Sequence, residues 1–191
     1  EGKARSILTA ERTMLNFLQI LSAVATKTRS LREKIKDTNT VLLDTRKTIP
    51  GLRLAQKYAV KIGGGQNHRV GLFDAFLIKE NHIKAAGGIS NAIKKAKKVN
   101  NSARIEIEVE TIDELEDALR HKPDWILLDN FSISDMVRAV KIAKQKAKLE
   151  ASGGIGDADN LLEIAKTGVD FISMGELTKN IKAIDLSLLL D

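Results

Sequence analysis

Six consecutive residues, Ile105-Glu106-Ile107-Glu108-Val109-Glu110, alternate strictly between apolar side chains and carboxylates. In a strand, this alternation places the apolar side chains on one face and the three glutamates on the other. A parallel sheet covered by helices on both faces would have to bury those glutamates, which is unfavourable. A barrel can pack the apolar face under its helices and direct the carboxylates into a polar interior. The run therefore favours a barrel, with an exposed edge strand as the alternative.

The rest of the chain alternates between short apolar runs and helical patterns. A long helix is predicted over residues 10–35. The predicted strands cover 41–46, 75–79, 104–110, 125–129, 148–151 and 171–174, and the predicted helices between them cover 52–62, 91–99, 112–120, 134–146 and 158–167. Such alternation indicates right-handed βαβ units and a parallel sheet. We expect an α/β fold built as a TIM-like (β/α) barrel that is incomplete or open. An open doubly wound sheet is the structural alternative.

These patterns divide the 191 residues into three parts. Residues 1–40 form the long helix that precedes the barrel. Residues 41–185 form the barrel, within which Trp125 is expected to pack beneath a helix. Residues 186–191 form a short apolar tail.

Composition and charge exclude several classes of protein. The chain has no cysteine, which excludes disulfides, thiolate metal sites and a cysteine nucleophile. No apolar run approaches the roughly 20 residues that span a bilayer, and no signal peptide is visible. We therefore expect a cytoplasmic protein without a membrane partner. The net charge is +6, but aromatic residues make up only 4% and the lysine runs fall in predicted helices. Nucleic-acid binding is not expected, because stacking platforms are missing.

Charged side chains follow several of the predicted strands. The carboxyl ends of all barrel strands face one opening, so these side chains can be considered together. Arg46, Arg69 and Lys79, with Lys47 and His68, form a cationic group suited to a dicarboxylate, since arginine pairs with a carboxylate through two parallel hydrogen bonds. The alternative is an internal network of salt bridges with the acidic residues of the same strand ends.

Two acidic residues, Glu108 and Asp129, are expected on adjacent strands at this opening. A pair of carboxylates can hold a divalent cation, usually Mg²⁺ when a phosphorylated substrate shares the site. The same pair could stabilise positive charge that develops on a sugar during glycosyl transfer. The sequence leaves both roles open.

A glycine-rich turn follows the fifth predicted strand, and Gly175 follows the sixth. Ser152-Gly153-Gly154-Ile155-Gly156 and then Asp157 lead into the predicted helix 158–167. Backbone amides at such a position suit a phosphate group. Two consecutive glycine-containing strand ends late in a (β/α) barrel favour a phosphate site there.

Taken together, these motifs resemble those of the quinolinate phosphoribosyltransferase family. The matching stretches are Glu11-Arg12-Thr13-Met14-Leu15-Asn16, Leu43-Asp44-Thr45-Arg46-Lys47-Thr48, Gly63-Gly64-Gly65, Asn67-His68-Arg69, Leu77-Ile78-Lys79-Glu80-Asn81-His82, Glu108-Val109-Glu110, Leu128-Asp129-Asn130, Glu150-Ala151-Ser152-Gly153-Gly154 and Gly168-Val169-Asp170. They run through nearly the whole chain. The combination of Thr-Arg-Lys with Asn-His-Arg is specific to such proteins.

The resemblance implies transfer of the 5-phosphoribosyl group from phosphoribosyl pyrophosphate to quinolinate with decarboxylation, which gives nicotinate mononucleotide, pyrophosphate and CO₂ in NAD biosynthesis. It implies Mg²⁺ as cofactor and a homodimer, or a higher homo-oligomer, with the site shared between subunits. The resemblance implies that quinolinate is bound by Arg46, His68, Arg69 and Lys79, by Arg12 from a neighbouring subunit, and that Thr45 also contacts substrate. It implies that the residues acting in catalysis at the ribose, pyrophosphate and Mg²⁺ are Lys47, Glu108 and Asp129. The implied phosphate-binding residues are Ser152, Gly153, Gly154, Ser173 and Gly175.

Two departures from the family pattern are visible. Lys179 stands where the family usually has a histidine, so any role specific to that histidine is in doubt. The family also carries an N-terminal α/β domain that is absent from this chain.

Two alternative functions stay open: the related protein found with molybdate transport genes, and a non-catalytic sensor on the same barrel. The biosynthetic enzyme is favoured over the molybdate-associated protein by the segment Lys79-Glu80-Asn81-His82. A non-catalytic sensor is disfavoured because Glu108, Asp129 and Lys47 are all present.

Overall fold

The structure is a computed structural model that describes residues 2–156 and 160–189. Within those residues the chain forms eight helices and six strands. In chain order they are α1 (Ala4–Lys34), β1 (Val41–Leu43), α2 (Arg53–Ile62), β2 (Phe76–Ile78), α3 (Glu80–Ala86), α4 (Ile89–Val99), β3 (Ile105–Val109), α5 (Ile112–Arg120), β4 (Trp125–Asp129), α6 (Ile133–Ala143), β5 (Lys148–Ser152), α7 (Leu161–Lys166), β6 (Phe171–Ser173) and α8 (Glu176–Lys179).

The six strands form one parallel sheet in the order β1-β6-β5-β4-β3-β2. Neighbours in the sheet are neighbours in the chain, except that the first strand lies beside the last. A doubly wound sheet would reverse direction at an internal strand. This order is that of a barrel, and β1 and β2 form the two edges of its seam. The predicted incomplete TIM-like barrel is therefore confirmed.

The loop between α2 and β2 enters this seam. Gln66 forms an isolated parallel bridge with Leu43. Its N–H donates to the Leu42 carbonyl at 2.8 Å, and its own carbonyl accepts from the Asp44 N–H at 3.1 Å. Since Gln66 occupies the free side of β1, the residues that follow it are carried into the mouth of the barrel.

The alternating run on β3 has the orientation expected for a barrel. Ile105, Ile107 and Val109 are buried in the hydrophobic core beneath the helices, while Glu106 is buried on the opposite, interior face. The strand lies between β2 and β4, so the edge-strand alternative is wrong. Period-two alternation thus separates an apolar layer under the helices from a polar interior.

Aromatic rings close the lower end of the barrel interior. Trp125 stacks on Phe171 with ring centroids 4.0 Å apart, and the guanidinium carbon of Arg104 lies 4.0 Å from the Trp125 ring centroid. The prediction that Trp125 packs beneath a helix is wrong. In the register of the sheet Trp125 lies opposite Glu106, so its ring shares the interior face of the barrel.

The observed element bounds follow the predictions with local differences. The first helix begins at Ala4, six residues earlier than expected, and α3 was not predicted. Residues 158 and 159 of the predicted helix 158–167 and the last two residues of the tail lie outside the described residues. Just before the tail the chain contacts α1, where the Ile184 N–H donates to the Gln19 carbonyl at 3.2 Å. None of the described helices combines the length and apolar character needed to cross a bilayer.

Candidate active site

A cavity of about 320 Å³ lies at the end of the barrel where the strands finish. Most of its lining residues are those singled out at the strand ends. The predicted site residues that line it are Thr45, Arg46, Lys47, His68, Arg69, Lys79, Glu108, Asp129, Ser152, Gly153 and Ser173. Leu77, Leu127 and Glu150 complete the lining. The topology therefore gathers residues from all six strand ends around one space.

The turn after β1 is held from both sides. The Thr45 hydroxyl accepts a hydrogen bond from the Lys47 N–H at 3.1 Å, and the Thr178 hydroxyl donates to the Lys47 carbonyl at 2.8 Å. Arg53 on α2 donates to the Arg46 carbonyl at 3.2 Å. These contacts fix the backbone of residues 45–47 and leave the side chains of Arg46 and Lys47 exposed at the cavity.

Asp44 joins this turn to the loop that enters the seam. It is fully buried and pairs with the ammonium of Lys57, which also donates to the His68 carbonyl at 3.1 Å. Asp44 accepts further hydrogen bonds from the His68 N–H at 2.9 Å and from the Asn67 amide at 2.5 Å. Burial raises the pKa of Asp44, and these donors oppose the rise. Through this network, the Thr-Arg-Lys and Asn-His-Arg motifs become one structural unit.

Arg46 and Arg69 bring two guanidinium groups to the cavity. Arg69 is 8% exposed, and one of its terminal nitrogens lies 3.4 Å from the Ala75 carbonyl. Burial lowers the pKa of Arg69, and the nearby charge of Arg46 lowers it further. Two like charges that repel each other at an accessible cavity are stabilised when an anion binds between them.

Lys79 and Glu108 form an ion pair across the cavity mouth, with side-chain exposures of 49% and 11%. This is the internal pairing considered as an alternative to substrate binding. The lysine is half exposed, and such a pair holds little net energy. The pairing therefore leaves Lys79 able to exchange its partner for a substrate carboxylate.

Glu108 and Asp129 approach the cavity from the adjacent strands β3 and β4. The Asp129 Oδ2 atom accepts from the Asn130 amide at 3.1 Å. A side chain at position 153 would start 2.6 Å from Asp129 Oδ1, so the glycine keeps the space before that oxygen clear. Two carboxylates at one cavity, one of them with open space before an oxygen, fit Mg²⁺, which is commonly held by one or two carboxylates together with substrate phosphates.

The glycine turn after β5 lies beside the end of β6. The Ser173 hydroxyl donates to that of Ser152 at 3.0 Å. Gly153 and Gly154 have φ values of +84° and +57°, which aim their amides in a way that residues with side chains rarely adopt. Residues 157–159, including Asp157, lie outside the described residues. The described part of the following helix begins at Leu161.

Gly175 and Gly154 do not line the cavity, but Gly175 lies at its edge. A side chain at position 175 would start 3.0 Å from Cδ of Lys47, 3.6 Å from Oγ1 of Thr45 and 3.8 Å from Cδ of Lys179. Both lysines thus pass close to Gly175, two residues after Ser173. Lys179, which departs from the family pattern, places a cation where the resemblance suggested phosphate.

A buried cluster below the cavity contains two residues that the sequence reasoning missed. His68 Nε2 lies 2.7 Å from Oε2 of Glu106 and 3.2 Å from Oε2 of Glu150. Glu106 is two residues before Glu108, and Glu150 is two residues before Ser152. The period-two alternation that places Glu108 and Ser152 in the interior could therefore have identified both glutamates.

The charges of this cluster are strongly coupled. Burial lowers the pKa of His68, but the two carboxylates outweigh it and raise that pKa above its ordinary value. Burial also raises the pKa of Glu106 to about 7, and Glu150 adds to the rise. His68 Nδ1 meanwhile accepts the Arg69 N–H at 2.7 Å, a contact that only the neutral ring can make and that opposes the rise at His68. Both ring nitrogens face protein groups, so direct contact of His68 with a substrate stays a prediction.

Arg12 lies away from the cavity, on an exposed part of α1. Its predicted role, contact with a substrate bound to a neighbouring subunit, stays a prediction. The other predicted site residues converge as described, and their individual roles in binding, catalysis and metal coordination also stay predictions.

Comparison with known proteins agrees with this geometry. Residues 24–189 match the family described as quinolinate phosphoribosyl transferase, C-terminal domain. The solved structure of the nicotinate-nucleotide pyrophosphorylase from Francisella tularensis is 61% identical, with a TM-score of 0.94 over 96% of this chain and 65% of that chain.

Two curated relatives extend the match. A carboxylating nicotinate-nucleotide pyrophosphorylase of Mycobacterium leprae is 41% identical over 98% of this chain and 67% of its own length. Quinolinate phosphoribosyltransferase [decarboxylating] 1b of Nicotiana tabacum is 40% identical over 100% of this chain and 59% of its own length. The chain spans about 59–67% of these three proteins. With its fold, its gathered strand ends and these matches, the chain belongs to the quinolinate phosphoribosyltransferase family.

Proposed function

We propose that the protein containing this chain transfers the 5-phosphoribosyl group of phosphoribosyl pyrophosphate to the ring nitrogen of quinolinate. Decarboxylation then gives nicotinate mononucleotide, with release of pyrophosphate and CO₂, as a step of NAD biosynthesis. The observation that carries the proposal is one cavity whose lining includes the three cations Arg46, Arg69 and Lys79 and the two acids Glu108 and Asp129. The names of the relatives support the choice of substrates.

The three cations suit a small ring with two carboxylates. Arginine can receive one carboxylate through paired hydrogen bonds, and Lys79 can meet the other after leaving Glu108. Leu77 and Leu127 also line the cavity and supply apolar contact for the ring. When CO₂ leaves, negative charge develops on the ring carbon. Cations held around the ring lower the energy of that charge through electrostatic attraction.

The opposite side of the cavity suits the phosphorylated sugar. The Ser152–Ser173 pair, the amides of Gly153 and Gly154, and the two lysines over Gly175 form an anion-binding region. Glu108 and Asp129 would hold Mg²⁺ together with phosphate oxygens. The ion would neutralise pyrophosphate charge as the glycosidic bond breaks. The two carboxylates themselves offset positive charge on the ribose carbon in the transition state.

The proposal includes an assembly and a location. A homodimer, or a higher homo-oligomer, would bring Arg12 of one subunit to the cavity of its neighbour, which agrees with the exposed position of this arginine on α1. We expect the protein in the cytoplasm, where its nucleotide precursors are found. Neither membranes nor nucleic acids are expected partners.

The full-length protein tests the proposal directly. Incubated with quinolinate, phosphoribosyl pyrophosphate and Mg²⁺, it should release CO₂ and form nicotinate mononucleotide in equal amounts. Chelation of the metal should stop the reaction, and its return should restore it. Absence of both products under these conditions would refute the proposed activity.

A further inference from the structure

The two buried glutamates that face His68 are not explained by substrate binding. Glu106 and Glu150 are 0% and 1% exposed, and His68 is 7% exposed. They lie one step below Glu108 and Ser152 on β3 and β5, while His68 arrives from the loop in the seam. Beneath them, Trp125 meets the His68 ring edge-on at 6.1 Å. The cluster is therefore closed from below and borders the cavity from above.

The hydrogen bond at Nδ1 defines the tautomer of His68. A nitrogen that accepts a backbone N–H carries no proton, so the proton of the neutral ring is on Nε2. Nε2 lies 2.7 Å from Oε2 of Glu106 and 3.2 Å from Oε2 of Glu150, in a space closed to water. A ring N–H close to two buried carboxylates is favoured electrostatically over a bare ring nitrogen, whose lone pair would repel them. The glutamates therefore select the tautomer whose Nδ1 atom can accept a hydrogen bond from the Arg69 N–H.

The same cluster has the residue types of a metal site, since one nitrogen and two carboxylates lie within 4.8 Å of one another. A metal on Nε2 would move the ring proton to Nδ1, where it would meet the Arg69 N–H. The observed contact at Nδ1 therefore assigns the cluster to a proton rather than to a cation.

The Nδ1 contact connects the buried cluster to the cavity. It fixes the peptide of Arg69, whose guanidinium lines the cavity beside Arg46. Loss of the tautomer would place a ring N–H against the backbone N–H, and the peptide would have to turn away. Because Arg69 follows directly in the chain, its side chain would move with that peptide. A shift of about 1 Å in a positioned group is enough to weaken its action substantially.

We infer that Glu106 and Glu150 are positioning residues: they hold His68 as the Nε2–H tautomer, and His68 in turn holds Arg69 in place for the dicarboxylate. The link from Arg69 to quinolinate rests on the proposed function. The link from the glutamates to the ring does not.

The first measurement concerns the ring alone. In ¹⁵N-histidine-labelled full-length protein without substrate, the His68 resonances are identified by their absence in His68→Gln. We expect Nδ1 of His68 to have the chemical shift of an unprotonated nitrogen and Nε2 that of an N–H. In the double variant E106Q/E150Q, both nitrogens should shift toward averaged values, because amide groups no longer select one tautomer. Glu106→Asp, which keeps a carboxylate, should retain most of the wild-type pattern.

The second measurement is steady-state kinetics on the same proteins. E106Q/E150Q should raise KM for quinolinate at least about tenfold and leave KM for phosphoribosyl pyrophosphate within about twofold. A merely structural defect would affect both substrates. The matched control is Glu110→Gln, the exposed third glutamate of the same run, which should change neither value. If the double variant does not fold, each single glutamine variant should show an intermediate tautomer shift and an intermediate KM.

Two results would overturn the inference. One is a wild-type His68 ring protonated on Nδ1. The other is a set of glutamine variants that keep the wild-type tautomer and a wild-type KM for quinolinate. A wild-type protein that shows the expected tautomer but forms no nicotinate mononucleotide would refute the proposed function alone.

Discussion

Glu106 and Glu108 stand two residues apart on one strand and point to the same face, yet their surroundings differ. Glu108 pairs with Lys79, a half-exposed lysine at the cavity mouth. Glu106 lies 2.7 Å from His68 in a cluster with no exposed carboxylate. The same contrast holds more widely between the buried charges (Asp44, Lys57, His68, Glu106 and Glu150) and the charges at the opening (Arg46, Lys47, Lys79, Glu108 and Asp129).

The difference teaches which charges can exchange partners. An exposed ion pair is weak because water replaces either partner at little cost, so the charges at the opening can turn to a ligand. A buried charge that loses its partner is left without solvation, so the buried charges are committed to one arrangement. In this barrel the charges at the opening suit substrate binding, and the buried charges hold the binding residues in place.

The largest expected effect tests the buried charges. Asp44→Asn leaves the ammonium of Lys57, which is 2% exposed, without a counter-charge. We expect the free energy of unfolding, measured with urea, to fall by about 3–5 kcal/mol. Glu80→Gln, in the exposed Glu80–Lys84 pair, is the control and should cause no measurable change. The double variant D44N/K57M should recover part of the loss. An Asp44→Asn protein as stable as wild type would contradict the distinction between the two groups.

The charges at the opening should affect binding and leave stability intact. Arg46→Ala in the full-length protein should raise KM for quinolinate at least about tenfold, from the loss of roughly 1.5–3 kcal/mol of charged hydrogen bonding. Its melting temperature should stay close to that of the wild type, because the side chain is exposed. Arg120→Ala, on the exposed surface of α5, serves as the control. An unchanged KM would remove Arg46 from the binding group.

The smallest expected effect concerns Asp74, whose carboxylate accepts from the N–H groups of Val70 and Gly71 at 2.7 and 3.2 Å. Burial raises the pKa of Asp74, but the backbone donors together outweigh it and lower the pKa below 3.8. The stabilisation of the loop is therefore present above 3.8 and is lost as the pH falls through the lower folded-state value.

Hydrogen exchange of the Val70 and Gly71 amides provides the measurement for Asp74. At neutral pH, Asp74→Asn should reduce their protection by less than about tenfold, while global stability stays unchanged. Equal protection in both proteins would show that the loop is held by other contacts.

Several elements could be predicted because their signals are local. The helix Ile112–Arg120 and the strand Trp125–Asp129 have the predicted bounds, since Thr111 caps the helix by accepting the Glu114 N–H at 3.2 Å and Trp-Ile-Leu-Leu-Asp is a short apolar run. The helix Glu80–Ala86 was missed because it buries none of its residues and so shows no apolar stripe.

The site could be predicted where it depended on strand ends. Parallel barrel strands finish at one opening, so Arg46, Lys79, Glu108 and Asp129 could be grouped without coordinates. The buried cluster could not be predicted in the same way. His68 belongs to a loop of undefined path, and only the bridge between Gln66 and Leu43 brings that loop to the mouth of the barrel.

By itself, the order of residues determined the parallel barrel, the polar interior of β3 and the set of charges at the opening. These depend on periodicities of two and of 3.6 residues and on the direction of each strand, which are properties of short segments. Only the tertiary structure decided that Glu106, Glu150 and His68 share one buried site. Burial and charge pairing depend on which distant segments meet, and residues 68, 106 and 150 meet only because the barrel is open between β1 and β2.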